Sequence, residues 1–153
     1  MIQRIQTLYL LAVVALMTIT LFAPIATFTI AGVDYELTAF SLEGGGQSQS
    51  TVWMGIVLVL ATVLPLVTIF LFKKRQLQVR LCGAEVVLLV GALAFIAIYY
   101  WLSVDKAFDG VAIAHKQFGW AAPMPIASII LMYLAGRAIF KDEILVRSLD
   151  RIR

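Results

Sequence analysis

Cysteine and charge are the two features this chain has least of. Among 153 residues there is one cysteine, Cys82, which excludes an intrachain disulfide, cysteine-pair redox chemistry and a cysteine-cluster metal site. The single histidine, His115, has Asp105 and Asp109 nearby in sequence. A metal site needs three or four ligands at fixed geometry, and this spacing does not indicate one. We therefore expect Cys82 to be a small buried residue and His115 a surface or hydrogen-bonded one.

Reactive motifs are absent from the sequence as well. It contains no C-x-x-C, no cluster of metal-ligand residues, no set of serine, histidine and aspartate, and no phosphate-binding glycine loop. Charged residues make up 14% of the chain, against about 25% in a typical soluble domain. The basic residues flank apolar runs instead of forming a basic domain, which argues against nucleic-acid binding. The sequence thus predicts a protein that is not an enzyme, with no catalytic residue, cofactor or metal.

Long apolar runs dominate what remains. Hydrophobic residues form 62% of the chain, and its mean hydropathy is +0.97. About 20 helical residues cross the ~30 Å hydrocarbon core of a bilayer, and four runs are long enough: 5–24, 52–72, 81–102 and 120–140. The first exceeds the core of a signal peptide and ends at Pro24, so we interpret it as a retained membrane helix. We expect an all-α membrane protein, a four-transmembrane-helix bundle that forms a single domain over 1–153.

The basic residues predict the orientation of this bundle. Ten of the 12 lysines and arginines fall at one end of the predicted helices: Arg4, Lys73, Lys74, Arg75, Arg80, Arg137, Lys141, Arg147, Arg151 and Arg153. Cytoplasmic segments are enriched in lysine and arginine, so this end, with both termini, is predicted to be cytoplasmic in a bacterial inner membrane. The cytoplasmic segments are then the bridge 73–80 and the tail 141–153, and the outer loops are 25–51 and 103–119.

The first outer loop predicts local β-structure. Residues 27–30 and 34–38 are β-branched or aromatic and partly alternate, which indicates a small β-hairpin. The stretch 44–50, with three glycines followed by serine and glutamine, is typical of a flexible linker. Beyond the last apolar run, Leu145, Leu149 and Ile152 recur at helical spacing opposite Glu143, Arg147 and Asp150. The tail is therefore predicted to be an amphipathic helix that lies on the membrane or docks on protein.

Glu85 is the one acidic residue inside a predicted membrane helix, which makes it a functional candidate as a proton carrier or cation site. It lies about one turn past Arg80, so the interpretation we favour is an ion pair with Arg80 or Arg137. Pro65 lies inside the second predicted helix and removes a backbone hydrogen bond to the carbonyl of Ala61. We expect a kink there, with a hydroxyl from Thr62 or Thr68 helping to satisfy that carbonyl.

Three segments of the chain resemble one protein family. They are the opening MIQRIQTLYLL, the start of the third helix at Arg80-Leu81-Cys82, and the end of the chain, GRAIFKDEILVRSLDRIR. All three are similar to a group of small Bacteroidota membrane proteins classified as a domain of unknown function. The resemblance implies an inner-membrane protein with four spans and supplies no activity. It places the recognisable segments on the cytoplasmic side.

Two functional hypotheses follow. The first is a non-enzymatic accessory or scaffold subunit whose basic cytoplasmic face binds a partner protein or anionic lipid. The partner protein could also be a second copy of the chain, which would make a homo-oligomer. The second is a small oligomeric transporter or channel that uses Glu85 and the Pro65 kink. The residues predicted to carry interaction or structure are Arg4, Lys73, Lys74, Arg75, Arg80, Glu85, Arg137, Glu143, Arg147, Asp150 and Arg151.

Overall fold

The computed structural model describes residues 3–71, 74–103 and 113–150. Within them are four long helices: α1 (Gln3–Phe22), α2 (Val52–Phe70), α3 (Arg75–Ile98) and α4 (Met124–Asp150). A π-helical turn, Tyr99–Ser103, follows α3. The helices pack side by side in a ring, in which α1 contacts α2 and α4, and α3 contacts the same two helices.

Each helix turns one narrow stripe of residues into this ring. The buried positions in α3 alternate at spacings of four and three: Gln78, Cys82, Glu85, Leu89, Ala92 and Ile96. The same spacing recurs in α1: Gln6, Leu10, Val13, Met17 and Thr20. A mean period of 3.5 residues keeps one seam of a helix facing its neighbours, as in coiled-coil packing. Many of the remaining apolar side chains of these helices point outward, away from the ring.

A five-stranded antiparallel sheet covers one end of the helices, which we call the sheet end. Its order is β4-β3-β2-β1-β5, and its strands are β1 (Ala26–Ile30), β2 (Val33–Leu37), β3 (Ser41–Gly44), β4 (Gln47–Ser50) and β5 (Ile113–Phe118). Ala31 and Gly32 close β1–β2, and Gly45 and Gly46 close β3–β4, all with positive φ. Two-residue loops of this kind match the right-handed twist of the strands they join.

One face of the sheet packs on the helix ends. Phe28 lies in the buried face, with its ring centroid 5.5 Å from that of Tyr100 in the π-helical turn. Tyr100 also stacks on Phe118 of β5, at 4.1 Å between centroids. The opposite face carries charged residues, because side chains alternate along a strand, and Glu36 and Glu43 are exposed there. The sheet thus closes this end with an apolar underside and a polar exterior.

The expected all-α fold class is therefore wrong, because the protein combines four helices with a five-stranded sheet. The predicted hairpin is present as β1 and β2, but it is the centre of a larger sheet. The stretch predicted to be a flexible linker instead forms the β3–β4 turn and strand β4, whose backbone groups pair with β3. Strand β5 comes from the second predicted loop and pairs with the free edge of β1. An isolated hairpin is marginal in water, and these added strands supply its missing neighbours.

The two largest differences from the predicted helix limits are at the start of α3 and the end of α4. Helix α3 begins at Arg75, so most of the predicted bridge 73–80 is its first turns, while Lys73 lies outside the described residues. Helix α4 continues to Asp150, so the predicted tail extends the fourth helix. Arg151 lies outside the described residues.

Candidate functional site

The end of the helices opposite the sheet carries the basic residues, and we call it the basic end. Lys74, Arg80, Arg137 and Lys141 are exposed there. Arg4 lies in α1, Arg75 in α3, and Glu143, Arg147 and Asp150 in α4. The fold thus brings residues from three helices, distant in sequence, to one end of the molecule.

A groove opens at the basic end between α1 and α4. Its volume is ≈ 380 Å³, and it is lined by Ile5, Tyr9, Leu134, Arg137, Ala138, Lys141 and Asp142. Arg137 and Lys141 are four residues apart, so they project from the same face of α4. Ile5, Leu134 and Ala138 supply the apolar part of the lining beside these charges. The groove therefore offers two cations above an apolar surface, with the Asp142 carboxyl at its rim.

A second groove, also ≈ 380 Å³, lies between α3 and α4 near the sheet end. Its lining is almost entirely apolar: Leu93, Ile96, Ala97, Trp101, Phe118, Ala122, Pro123 and Ile126. None of these described lining residues has a titratable or nucleophilic side chain, so they offer shape and apolar contact.

Glu85 is fully buried in the ring, with 0% of its side chain exposed. It faces inward because it occupies the same stripe of α3 as Cys82 and Leu89. Neither carboxyl oxygen has a hydrogen-bond partner among the described residues. Arg80 and Arg137 are both exposed, so the predicted ion pair is not formed. A buried carboxyl without a partner is uncommon, because burial of an uncompensated charge is costly.

Two buried glutamines were missed by the sequence prediction. The Gln78 side chain donates from Nε2 to the backbone carbonyl of Thr68, at 2.9 Å, and so links α3 to α2. Gln6 is buried in α1, and its Nε2 has no acceptor among the described residues. Both occupy positions in the repeating stripe of buried residues. Extending that stripe toward the basic ends of α1 and α3 would have identified them.

Pro65 lies within α2, and the helix continues on both sides of it. The hydroxyls expected to reach the carbonyl of Ala61 donate elsewhere: Thr62 to Leu58 O and Thr68 to Leu64 O, both at 2.8 Å. The prediction that either satisfies the Ala61 carbonyl is therefore wrong. Each hydroxyl bonds within its own helix instead, to the residue four positions earlier.

The remaining candidates, Cys82 and His115, are not part of a cluster of reactive side chains among the described residues. Cys82 is a buried free thiol, as predicted from its place in an apolar helix. His115 lies on β5 at the sheet end and is exposed. Over residues 3–71, 74–103 and 113–150, no group of three or more histidine, cysteine, aspartate or glutamate side chains has the arrangement that a metal ion needs.

The described residues contain four helical segments long and apolar enough to cross a membrane: Ile5–Phe22, Val52–Phe70, Gln76–Trp101 and Met124–Leu145. The three tryptophans lie together at the sheet end, and all are exposed. An apolar ring of this length with exposed tryptophans at one end is the architecture of a membrane protein. The class of this protein is therefore a membrane protein with four candidate spans beneath a β-sheet.

Sequence comparison identifies the family of the chain. It belongs to the family described as Domain of unknown function (DUF4293), which matches residues 2–152. The resemblance inferred from the chain's opening, its third helix and its end is thus confirmed as membership of a domain-of-unknown-function family. A search of curated proteins found no match.

Proposed function

We propose that this protein is a non-enzymatic accessory protein of a bacterial inner membrane, and that its cytoplasmic face binds anionic lipid. Both termini are cytoplasmic on this proposal, and the sheet lies outside. The resemblance inferred from the sequence of the chain's ends is the basis for proposing a bacterial source. The observation that carries the proposal is the groove with Arg137 and Lys141 above an apolar wall.

The charge distribution supports this orientation. Lys74, Arg80, Arg137 and Lys141 are exposed at the basic end, whereas the sheet carries exposed Asp34, Glu36 and Glu43. Membrane proteins keep their lysine- and arginine-rich ends on the cytoplasmic side, where anionic lipids also give the leaflet its negative potential. The orientation therefore places the groove at the leaflet that carries the matching charge.

The groove itself matches the shape of a lipid. Arg137 and Lys141 lie near the end of the candidate span Met124–Leu145, at the level where a headgroup phosphate would sit. Leu134 lies further into the span than Arg137 and continues the apolar lining in the direction that an acyl chain would take. Tyr9, half-buried in the same groove, has a hydroxyl able to donate to a phosphate oxygen.

Replacing Arg137 and Lys141 together with glutamine should weaken binding of phosphatidylglycerol. A basic residue near an anionic headgroup contributes about 1 kcal/mol, so the pair contributes about 2 kcal/mol, or about a 30-fold change in affinity. Native mass spectrometry of the detergent-solubilised protein, titrated with phosphatidylglycerol or with zwitterionic phosphatidylcholine, measures the change.

The matched control is the double variant Lys74→Gln and Arg80→Gln. It removes the same charge from exposed residues at the same end, outside the groove. We expect it to keep the preference for phosphatidylglycerol. Equal loss in the two double variants would mean that overall charge, and not the groove, attracts the lipid. No preference in the unaltered protein would overturn the proposal and favour a partner protein on this face.

A transporter or channel is the second candidate, and the buried Glu85 carboxyl favours it, since ionisable residues inside membrane spans commonly line ion paths. On that hypothesis the purified protein moves ions or metabolites in proteoliposomes, and Glu85→Gln abolishes the flux. Absence of flux by the unaltered protein across ion and metabolite panels would remove this candidate.

A further inference from the structure

The contact between Gln78 and Thr68 sets the relative height of α3 and α2. Gln78 Nε2 lies 2.9 Å from the Thr68 carbonyl oxygen. Thr68 is in the last turn of α2, and its carbonyl also accepts the backbone N–H of Leu71 at 3.3 Å. A side chain from α3 thus supplies a donor to an α2 carbonyl at a helix end.

Glu85 and Ala61 occupy positions that correspond to Gln78 and Thr68, seven residues further into the membrane span. Glu85 follows Gln78 by seven residues, and Ala61 precedes Thr68 by seven, in helices that run in opposite directions. Seven residues advance a helix by about 10.5 Å and return it to within about 20° of the same face. Glutamate and glutamine side chains have the same length. The repeat therefore sets the Glu85 carboxyl at the same level as the Ala61 carbonyl, in the relation that Gln78 has to Thr68.

The Ala61 carbonyl also needs a donor, for a different reason. Its helical donor would be the N–H of residue 65, and that residue is Pro65, which has none. The nearby hydroxyls of Thr62 and Thr68 are committed to Leu58 and Leu64. Ala61 and Glu85 are both fully buried, so the interior offers the pair little water. The repeat thus sets two oxygen acceptors at one level of α2 and α3, and the Glu85 oxygens have no hydrogen-bond partner among the described residues.

We propose that the Glu85 carboxyl and the Ala61 carbonyl form a binding site for a small monovalent cation, either a proton or Na⁺, held between α2 and α3. Oxygen acceptors that face each other in a buried place repel unless a positive ligand lies between them. A proton would make Glu85 a hydrogen-bond donor to Ala61, and Na⁺ would be shared by the two oxygens. The site lies between a different pair of helices from the lipid groove and does not rest on it.

The described residues of α2 and α4 that pack around Glu85 are uncharged, so Glu85 is the ionisable residue of this site. Helix α2 has no titratable side chain. From α4, Arg137 is exposed, and the buried positions facing the ring are uncharged: Ser128, Met132, Ala135 and Ile139. The Cys82 thiol, buried three residues before Glu85 on α3, is the neighbour that must be controlled for.

Thermal unfolding of the full-length protein in detergent, across pH values with and without NaCl, tests the site. A ligand that binds only the folded protein stabilises it, so the apparent Tm should fall by about 3–5 °C per tenfold loss of the bound cation. For a proton, Tm falls as pH rises at constant salt. For Na⁺, Tm rises with NaCl but not with choline chloride. In the proton case, the infrared band of a protonated carboxyl should also disappear in Glu85→Gln.

Two variants make the experiment decisive. Glu85→Gln should fold and lose both sensitivities, because its amide donates to Ala61 as that of Gln78 donates to Thr68. Cys82→Ser should keep the sensitivity of the unaltered protein. If the unaltered Tm responds to neither pH nor Na⁺, if Glu85→Gln responds as the unaltered protein does, or if Glu85→Gln fails to fold, the proposed site is wrong.

Discussion

Replacing Leu37 with aspartate is expected to lower the free energy of unfolding by about 3–5 kcal/mol, because it buries an uncompensated charge. Leu37 is 0% exposed in β2, on the face of the sheet that packs on the helix ends. Its carbonyl accepts the N–H of Ile25 at 2.8 Å, which fixes the strand against the chain that leaves α1. The substitution therefore disrupts packing where the sheet meets the helices. Denaturant unfolding in detergent, followed by circular dichroism, measures the loss.

The neighbouring residue provides the control for strand register. Glu36 is exposed and lies directly opposite Glu43 of β3. Like charges in this arrangement repel, so Glu36→Gln should leave stability unchanged or raise it by up to about 1 kcal/mol. A large loss in Glu36→Gln with little effect in Leu37→Asp would mean that β2 is displaced by one residue, because such a slip exchanges the two faces.

Replacing Phe28 with alanine is expected to cost about 3–5 kcal/mol of stability. Phe28 is 1% exposed and is the largest fully buried side chain beneath the sheet. Its contact with Tyr100 joins β1 to the turn that ends α3, so the substitution leaves a cavity between the two layers. Thermal unfolding in detergent, with protease sensitivity of the sheet end as a second readout, measures the effect.

Phe22 offers the same substitution in a different environment. Its side chain is 83% exposed at the end of α1. Phe22→Ala should change stability by no more than about 0.5 kcal/mol, because no packed contact is lost. Similar losses in Phe22→Ala and Phe28→Ala would show that the sheet does not pack on the π-helical turn.

The two ends of the molecule have different roles in these proposals. The sheet closes one end with a packed apolar layer, and its charged residues face outward. The basic end carries the groove between α1 and α4, and the proposed cation site lies between α2 and α3. Because the groove and the site use different helices, variants at one leave the other intact. The lipid and cation experiments can therefore succeed or fail separately.

Much of the helical part was predictable from the sequence. The four apolar runs correspond to the four candidate spans, and the ends of the chain pointed to the family that matches it. The sheet was only partly predictable. Residues 27–38 alternate as strands do, but 44–50 have the composition of a linker. Their strand state comes from pairing with β3 and from Gly45 and Gly46 at positive φ, and local composition does not encode a pairing partner.

The candidate site was also only partly predictable from the sequence. The sequence identified Glu85 and Pro65 as unusual residues in apolar helices, and it predicted an ion pair for the carboxyl. In the structure Arg80, five residues earlier, points out of the ring while Glu85 points in. That difference follows from the stripe spacing, since five residues along a helix turn the side chain to another face.

The sequence by itself determined that this protein has four apolar segments, with basic residues gathered at one end, because hydropathy and charge act residue by residue. Only the tertiary structure decided which strands pair, and which α2 carbonyl accepts the Gln78 amide. Those outcomes depend on the relative height and rotation of segments far apart in the chain. They are set by how the buried faces of different segments pack together, and the sequence of one segment does not determine them.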